Sequence, residues 1–170
     1  MAKGEIRSIH TCHQAGDPMT SLGEVAALRG EGLAGDRYLH RSGTYSKTHG
    51  PDREVTLIEA ETLDALQAEL GFTLAPAETR RNLVSRGIAL DALIGKRFRV
   101  GEEVVLAGVR RCDPCGYLER TTGKPVYEPL RERGGLRATI VQGGTLRVGD
   151  VVEALAEPEA VEAVPAPART

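Results

Sequence analysis

Glycine and proline interrupt this chain so often that few segments are longer than a short strand. The 170 residues include 20 glycines and 9 prolines, spread along the whole sequence. Such punctuation is typical of turns that join strands. Roughly seven or eight short strands are indicated, among them residues 5–9, 21–29 and 136–141. The pattern predicts a mainly β domain, either a barrel or a sandwich.

One segment has the periodicity of a helix. Leu63, Leu66 and Leu70 fall at helical spacing, and Gly71 follows where a C-cap is expected. We therefore predict one main helix over residues 59–70, with a single helical turn at residues 90–94. Residues 30–49 hold several glycines and few aliphatic side chains, which predicts a long loop of the functional or mobile kind.

Two later segments resemble each other. Residues 98–104 and 146–152 each read as a strand, a glycine turn with an acid, and a second strand. An internal repeat and two similar hairpins at barrel corners both explain this, and we favour the hairpins. Residues 156–170 are rich in Ala, Glu and Pro, which predicts a solvated, disordered tail after a single domain over residues 1–155.

Composition limits the classes of function. The net charge is −2 and aromatic residues make up 4% of the chain, so neither a nucleic-acid surface nor attraction to an anionic membrane is indicated. No apolar run is long enough to span a bilayer, and the first ten residues lack the apolar core of a signal peptide. We predict a cytoplasmic protein in which an anionic ligand is held by a local cluster of basic residues.

A turn with two cysteines is the strongest chemical feature. Cys112 and Cys115 are separated by Asp-Pro and preceded by two arginines, which can lower the pKa of a thiol that they face. A zinc site completed by Cys12 and His13, a thioredoxin-like redox pair, a single functional thiolate at Cys115 and two structural cysteines are all compatible with this spacing. The odd number of cysteines leaves at least one thiol free.

Two further segments could hold an anion. On a strand, Arg80 and Asn82 would share one face and Arg81 the other, which offers a phosphate or a pterin edge both a bidentate cation and an amide. A solvated pair of arginines with a structural Asn explains the same residues. Asp36 and Arg37 follow two glycines; they either position a ligand or cap and pair locally, and no dinucleotide fingerprint is present.

Taken in order, these motifs resemble the MOSC family, named after the C-terminal domain of molybdenum cofactor sulfurases. The resemblance covers nearly the whole chain, from about residue 6 to residue 155. It rests on six segments, namely residues 32–37, 53–58, 79–84, 93–98, 112–116 and 144–150. Each segment alone is a weak indication of the family, but six segments in the correct order are specific for it.

The resemblance implies a closed β-barrel of complex topology, similar to the barrel domain of pyruvate kinase, with one main helix and a few short ones. It also implies a molybdenum–pterin cofactor and one functional cysteine, which ligates molybdenum in the amidoxime-reducing relatives. By position, Cys115 matches that cysteine, and Arg80 and Asn82 match the pair that contacts the cofactor. Arg37 or Arg53 would help Arg80 to neutralise the pterin phosphate. The predicted cofactor-binding set is completed by Asp36, Cys112 and Asp113.

Three functions follow from the resemblance. The first is an oxidoreductase that reduces N-hydroxylated small molecules at molybdenum held by Cys115, with electrons from an outside protein. The second is a sulfur carrier, in which Cys115 holds a persulfide received from a sulfur-donor protein. The third is a non-catalytic module that binds an anion. Pyridoxal phosphate is associated with the family but is not expected in this domain, and a monomer and a homodimer are both compatible with the sequence.

Overall fold

Short strands dominate the fold, as the glycine pattern predicted. The computed structural model describes residues 3–43, 48–114 and 116–156. Their strands are β1 (Lys3–Thr11), β2 (Thr20–Leu22), β3 (Glu24–Leu28), β4 (Gly32–Leu33), β5 (Val55–Glu59), β6 (Leu83–Arg86), β7 (Arg97–Val100), β8 (Val104–Arg111), β9 (Leu136–Gln142), β10 (Gly144–Arg147) and β11 (Val151–Ala154). Their helices are α1 (Arg37–His40), α2 (Ala60–Leu70), α3 (Gly116–Thr122) and α4 (Tyr127–Leu130), with 3-10 turns at Pro76–Thr79 and Leu90–Leu93.

Seven of these strands close into a mixed barrel. They follow the order β1-β11-β7-β8-β9-β5-β6, and β6 pairs again with β1. All pairings are antiparallel except β5–β6, which are parallel and joined by α2. β2 extends the sheet beyond β1, and β10, β3 and β4 form a separate small sheet. The predicted closed β-barrel is confirmed.

The barrel interior is built by alternation along the strands. In β8, Val104, Leu106 and Gly108 are buried while the residues between them are partly exposed. Phe98 and Val100 of β7 are fully buried in the same core. Because alternate residues point to opposite faces, the intervening positions of β8 and β9 lie outside the barrel, where they are available to a site.

A second core covers the outer face of β5 and β6. Leu63 and Leu66 of α2 pack there with Leu118 of α3. α2 ends at Gly71, whose φ of 72° is the left-handed conformation of the predicted C-cap. Leu70, the last leucine of the helical pattern, is 42% exposed and does not belong to this core. The second core holds α3, and with it the end of the cysteine turn, against the barrel wall.

Two predicted segments differ from the structure. Residues 98–104 do form a hairpin, from β7 and β8, but residues 146–152 do not: β10 pairs with β3 and β11 with β1 and β7. The similar sequences therefore reflect similar turns, not similar hairpins. The loop predicted at residues 30–49 contains β4 and α1, and the tail from residue 157 lies outside the described residues.

Within the part of the chain that the structure describes, no helix has the length and apolar character needed to cross a membrane.

A buried histidine links β1 to β2. His10 is 3% exposed, its Nε2 lies 2.8 Å from the Ser8 hydroxyl, and its Nδ1 lies 3.1 Å from the Ser21 hydroxyl. Burial lowers the pKa of His10 below its ordinary value, because the surroundings disfavour the charged imidazolium.

This lowered pKa makes stability depend on pH. The unfolded chain binds the proton more readily, so the contribution of neutral His10 is complete above the unfolded pKa of about 6.5 and is lost as the pH falls toward the folded-state pKa. We expect the wild type to lose more free energy of unfolding between about pH 7 and pH 5 than His10→Gln, whose amide does not titrate. Urea titrations measure the difference, and parallel pH curves would contradict it.

Candidate functional site

A pocket of about 250 Å³ opens on the outside of the barrel near the cysteine turn. Among the described residues, its lining is rich in arginine and contains two tyrosines and one acid. It consists of Ala15, Arg37, Tyr38, Gly43, Arg80, Arg81, Arg110, Asp113, Pro114, Tyr117, Leu118 and Arg137. These residues come from the loop after β1, from α1, from the segment before β6, from β8 and β9, and from the start of α3.

Arg37 and Arg80 form one wall. Asp36 caps α1 by accepting from the Tyr38 amide and also binds Arg37 Nη1 at 3.1 Å. Arg37 Nη2 donates to the Arg80 carbonyl at 2.9 Å, and Arg80 Nη2 lies 3.2 Å from Cys12 Sγ. Burial alone would lower the pKa of Arg37, but Tyr38, Asp36 and Cys12 more than offset this and raise it.

Arg81 forms the floor and ties two chain segments together. It is 7% exposed, and its Nε and Nη2 donate to the carbonyls of Gly134 at 2.9 Å and Cys112 at 3.2 Å. Its Nη1 donates to the Thr79 carbonyl at 3.1 Å. A side chain at residue 134 would collide with the Cys112 carbonyl, so glycine is needed for this close approach. The arginine thereby holds the beginning of the cysteine turn.

Arg110 and Arg137 also line the pocket, and both bind Asp52. Arg110 binds Asp52 through Nε and Nη2, at 3.1 and 3.0 Å to Oδ2. Burial alone would raise the pKa of Asp52, but the bonds to Arg110 and the positive charges around it lower it. Arg137 Nη1 donates to the Asp52 carbonyl at 3.0 Å and contacts the Tyr38 hydroxyl at 3.4 Å.

The pocket carries excess positive charge. Of its five arginines, Arg37 and Arg110 are paired with carboxylates. Among the described residues, no carboxylate lies within salt-bridge distance of Arg80, Arg81 or Arg137, whose acceptors are carbonyl, hydroxyl and sulfur atoms. Charge-assisted hydrogen bonds to a phosphate or carboxylate would complete such a set. The geometry is that of an anion-binding pocket with aromatic and apolar sides.

The two cysteines that the structure describes, Cys12 and Cys112, are both buried. Cys112 is 1% exposed, its amide donates to the Gly135 carbonyl, and it is a free thiol, as is the buried Cys12. Cys115 lies outside the described residues, so its predicted role stays a prediction. Its chain neighbours Pro114 and Tyr117 both line the pocket.

The other predicted site residues divide into two groups. Arg37, Arg80 and Asp113 line the pocket. Asn82, Asp36 and Arg53 are not among its lining residues. Arg53 Nη1 instead donates to the Thr48 carbonyl at 2.7 Å. For Asn82 and Arg53, cofactor contact stays a prediction.

Asn82 has a full set of main-chain partners. It is completely buried, its Oδ1 accepts from the Thr56 amide at 3.0 Å, and its Nδ2 donates to the His10 carbonyl at 3.1 Å. Asn82 therefore joins β1 and β5 at the start of β6. Arg80 is not on a strand: its φ of 59° is left-handed, so the expected alternation does not apply. Arg81, predicted to face away, is the one on the pocket floor.

Sequence reasoning missed Arg137 and Arg81, and it considered Arg110 only as a neighbour of the thiols. Alternation along β9 was an available signal, since Leu136 and Ala138 are apolar and buried while Arg137 faces outward. Arg111, the other arginine before the turn, pairs with Asp91 and is absent from the lining. Nothing in the sequence indicated which outward-facing arginines converge.

The zinc alternative gains no support from the described residues. They contain no group of three or more His, Cys, Asp or Glu side chains that could hold a metal ion. Cys12 Sγ is instead occupied by Arg80 and by the Gln14 carbonyl, 3.4 Å away.

Comparison with known proteins identifies the family. Residues 44–153, well over half of the chain, match the MOSC domain. The chain belongs to the MOSC family. The match includes β5 to β9, Arg80, Arg81, Arg110 and the cysteine turn, and confirms the resemblance noted in the sequence. No curated protein matches this chain in sequence.

Several solved structures share the fold. The YuaD protein from Bacillus subtilis is 14% identical with a TM-score of 0.73, over 89% of this chain and 97% of that one. YiiM from Geobacillus stearothermophilus is 15% identical (TM-score 0.69; 90% and 75% of the two chains). YiiM from Escherichia coli is 19% identical (TM-score 0.63; 95% and 73%). At these identities the likeness establishes the fold, and the site must be argued from its own residues.

Proposed function

We propose that this MOSC protein binds a molybdenum–pterin cofactor in the arginine-rich pocket and reduces N-hydroxylated compounds, with Cys115 as the metal ligand. The observation that carries the proposal is the cluster of three arginines, Arg80, Arg81 and Arg137, for which the described residues provide no carboxylate partner. An anionic pterin cofactor would supply the negative charge that balances these arginines. Membership of the MOSC family indicates this kind of cofactor.

The residues present fit such a group. Arg80 and Arg137 would bind its anionic part, while Pro114, Tyr117 and Leu118 offer flat and apolar surface to its rings. A thiolate at residue 115, between pocket-lining neighbours, is a soft ligand suited to a thiophilic metal. When bound, molybdenum would supply the redox chemistry.

The reaction also needs protons, which this chain would deliver, and electrons, which a partner protein would deliver. Reduction of N–OH to N–H breaks the N–O bond, takes up two electrons and two protons, and releases water. The electrons would come from an outside donor protein. Asp113 is the acidic side chain among the lining residues and is exposed, so its carboxyl is the candidate for moving a proton.

The test is the metal and pterin content of the protein purified from cells that make the cofactor. We expect molybdenum and pterin in comparable amounts in the wild type. Cys115→Ser should lose most of the molybdenum, because a hydroxyl is a poor replacement for a soft thiolate. Cys112→Ser is the matched control and should retain it, since Cys112 is 1% exposed and is not among the lining residues of the pocket.

Each result has a defined meaning. A wild type that carries no molybdenum or pterin, and cannot be loaded with added cofactor, would disprove the proposal. Loss of metal from Cys112→Ser alone would reverse the assignment of the ligand. A persulfide on Cys115 without molybdenum would favour the sulfur carrier. With metal present, reduction of a hydroxylamine by an artificial electron donor tests the activity itself.

A further inference from the structure

Arg137 has a role that no sequence motif indicated. It lies on β9, faces outward from the barrel and lines the same pocket as Arg80. Its guanidinium is held in place by two acceptors on the same terminal nitrogen: Nη1 donates to the Asp52 carbonyl and contacts the Tyr38 hydroxyl.

The other edge of this guanidinium is unused. Nε is buried and has no hydrogen-bond partner, and Nη2 donates to no acceptor among the described residues. Nε and Nη2 carry the two parallel N–H bonds with which arginine binds an oxyanion side-on. An arginine held rigidly through Nη1, with this fork unpaired, is prepared for a second, anionic partner.

No carboxylate among the described residues is paired with the Arg137 guanidinium. The carboxylate of Asp52 accepts the fork of Arg110, and only the main-chain carbonyl of Asp52 accepts from Arg137. Burial alone would lower the pKa of Arg137, yet the neighbouring Cys112 thiol, Tyr38 and Asp52 raise it. The side chain therefore stays charged at every physiological pH.

We propose that Arg137 is the centre of an oxyanion subsite, distinct from the Arg80 wall, which binds a phosphate-type group through Nε and Nη2. The proposal rests on the pocket alone and does not need molybdenum. Two sources could bring such a group: the phosphate of the proposed cofactor, or a separate phosphorylated or carboxylated substrate.

Inorganic phosphate is the probe for the subsite. It is titrated into the cofactor-free protein at constant ionic strength, so that general screening by salt is held fixed. Binding is read as heat release and as a rise in Tm. We expect Arg137→Met to bind phosphate about tenfold or more weakly than the wild type.

Arg97 offers a matched control. It lies on barrel strand β7, which β8 separates from β9, and it is half-buried. Its buried Nε also has no hydrogen-bond partner among the described residues, but Arg97 does not line the pocket. Arg97→Met removes the same charge and shape and should bind phosphate within about twofold of the wild type. Equal weakening in both variants would show a general effect of charge and overturn the subsite.

Arg137→Lys keeps the charge but removes the fork, and it provides a second test if the Met variant does not fold. We expect phosphate binding at least about threefold weaker than in the wild type, because lysine binds an oxyanion as a point charge. Binding equal to that of the wild type would overturn the side-on geometry. Absence of phosphate binding by the wild type would overturn the proposal as a whole.

Repeating the titration with cofactor-loaded protein distinguishes the two sources. If phosphate no longer binds, the cofactor's own phosphate fills the subsite; if it still binds, the subsite serves a separate molecule. If no cofactor can be loaded but Arg137-dependent phosphate binding persists, the molybdenum function fails while the subsite stands.

Discussion

Gly135→Ala is expected to destabilise the protein by about 3 kcal/mol or more. Gly135 lies directly before β9 and has a φ of 109°, a conformation that L side chains rarely adopt. A Cβ there would overlap the main-chain carbonyl oxygen of Leu57 on β5 and lie 3.0 Å from its carbonyl carbon. Both strands belong to the barrel, so the clash must separate the β5–β9 pairing or distort β9.

Gly149→Ala is the control for Gly135→Ala, because it introduces backbone strain without a steric clash. Gly149 also has a positive φ, 94°, but an added Cβ there would meet no heavy atom within 4 Å. We expect this variant to lose only the conformational term, about 1–2 kcal/mol. Urea denaturation of both variants measures the difference, and equal losses would contradict the predicted overlap.

Arg81→Met is expected to cost about 3 kcal/mol of stability and to loosen the cysteine turn. The change leaves the carbonyls of Gly134 and Cys112 without their charged donor in a buried place. Buried acceptors that lose their partner cost about 1–3 kcal/mol each, while the methionine recovers part of this by avoiding a buried charge. Thiol labelling of Cys112 should become faster as the turn opens.

Arg80→Met is the control for Arg81. Arg80 is its chain neighbour and lines the same pocket, but its side chain is partly exposed and bonds to the Asp17 carbonyl and to Cys12 Sγ. We expect a loss of about 1 kcal/mol or less, with the labelling rate of Cys112 unchanged. If the two variants were equally stable and equally labelled, Arg81 would not be the clamp described above.

Local patterns predicted the elements well. The helix over residues 59–70 was visible because leucine spacing and a glycine C-cap act within one segment, and α2 ends at the expected residue. The short α3 and α4 were missed because their stability comes from a few contacts, such as those of Leu118 and Leu130 in the second core. A helix of one or two turns has little intrinsic stability and forms only where packing supports it.

Several of the predicted site residues lie at one pocket, and their roles toward a cofactor stay predictions. Arg37 and Arg80 line the pocket as expected, and Asp36 caps and pairs locally, one of the two roles considered for it. Alternation on a strand predicted one shared face for Arg80 and Asn82, but the chain at Arg80 is left-handed and the Asn82 amide donates to the carbonyl of His10. The cofactor contact of Asn82, which the family resemblance implies, stays a prediction.

The sequence by itself determined the family, the mainly β class and the cysteine turn, because these depend on residue types in a fixed order. Only the tertiary structure decided that Arg81 fixes the turn and that Arg137 presents an unused fork in the same pocket. Arg81 and Arg137 lie far apart in the chain, and the strand order β9-β5-β6 brings β9 close to the segment before β6. Which charged side chains meet at a site depends on the order of the strands in the sheet. No local pattern of residues encodes that order.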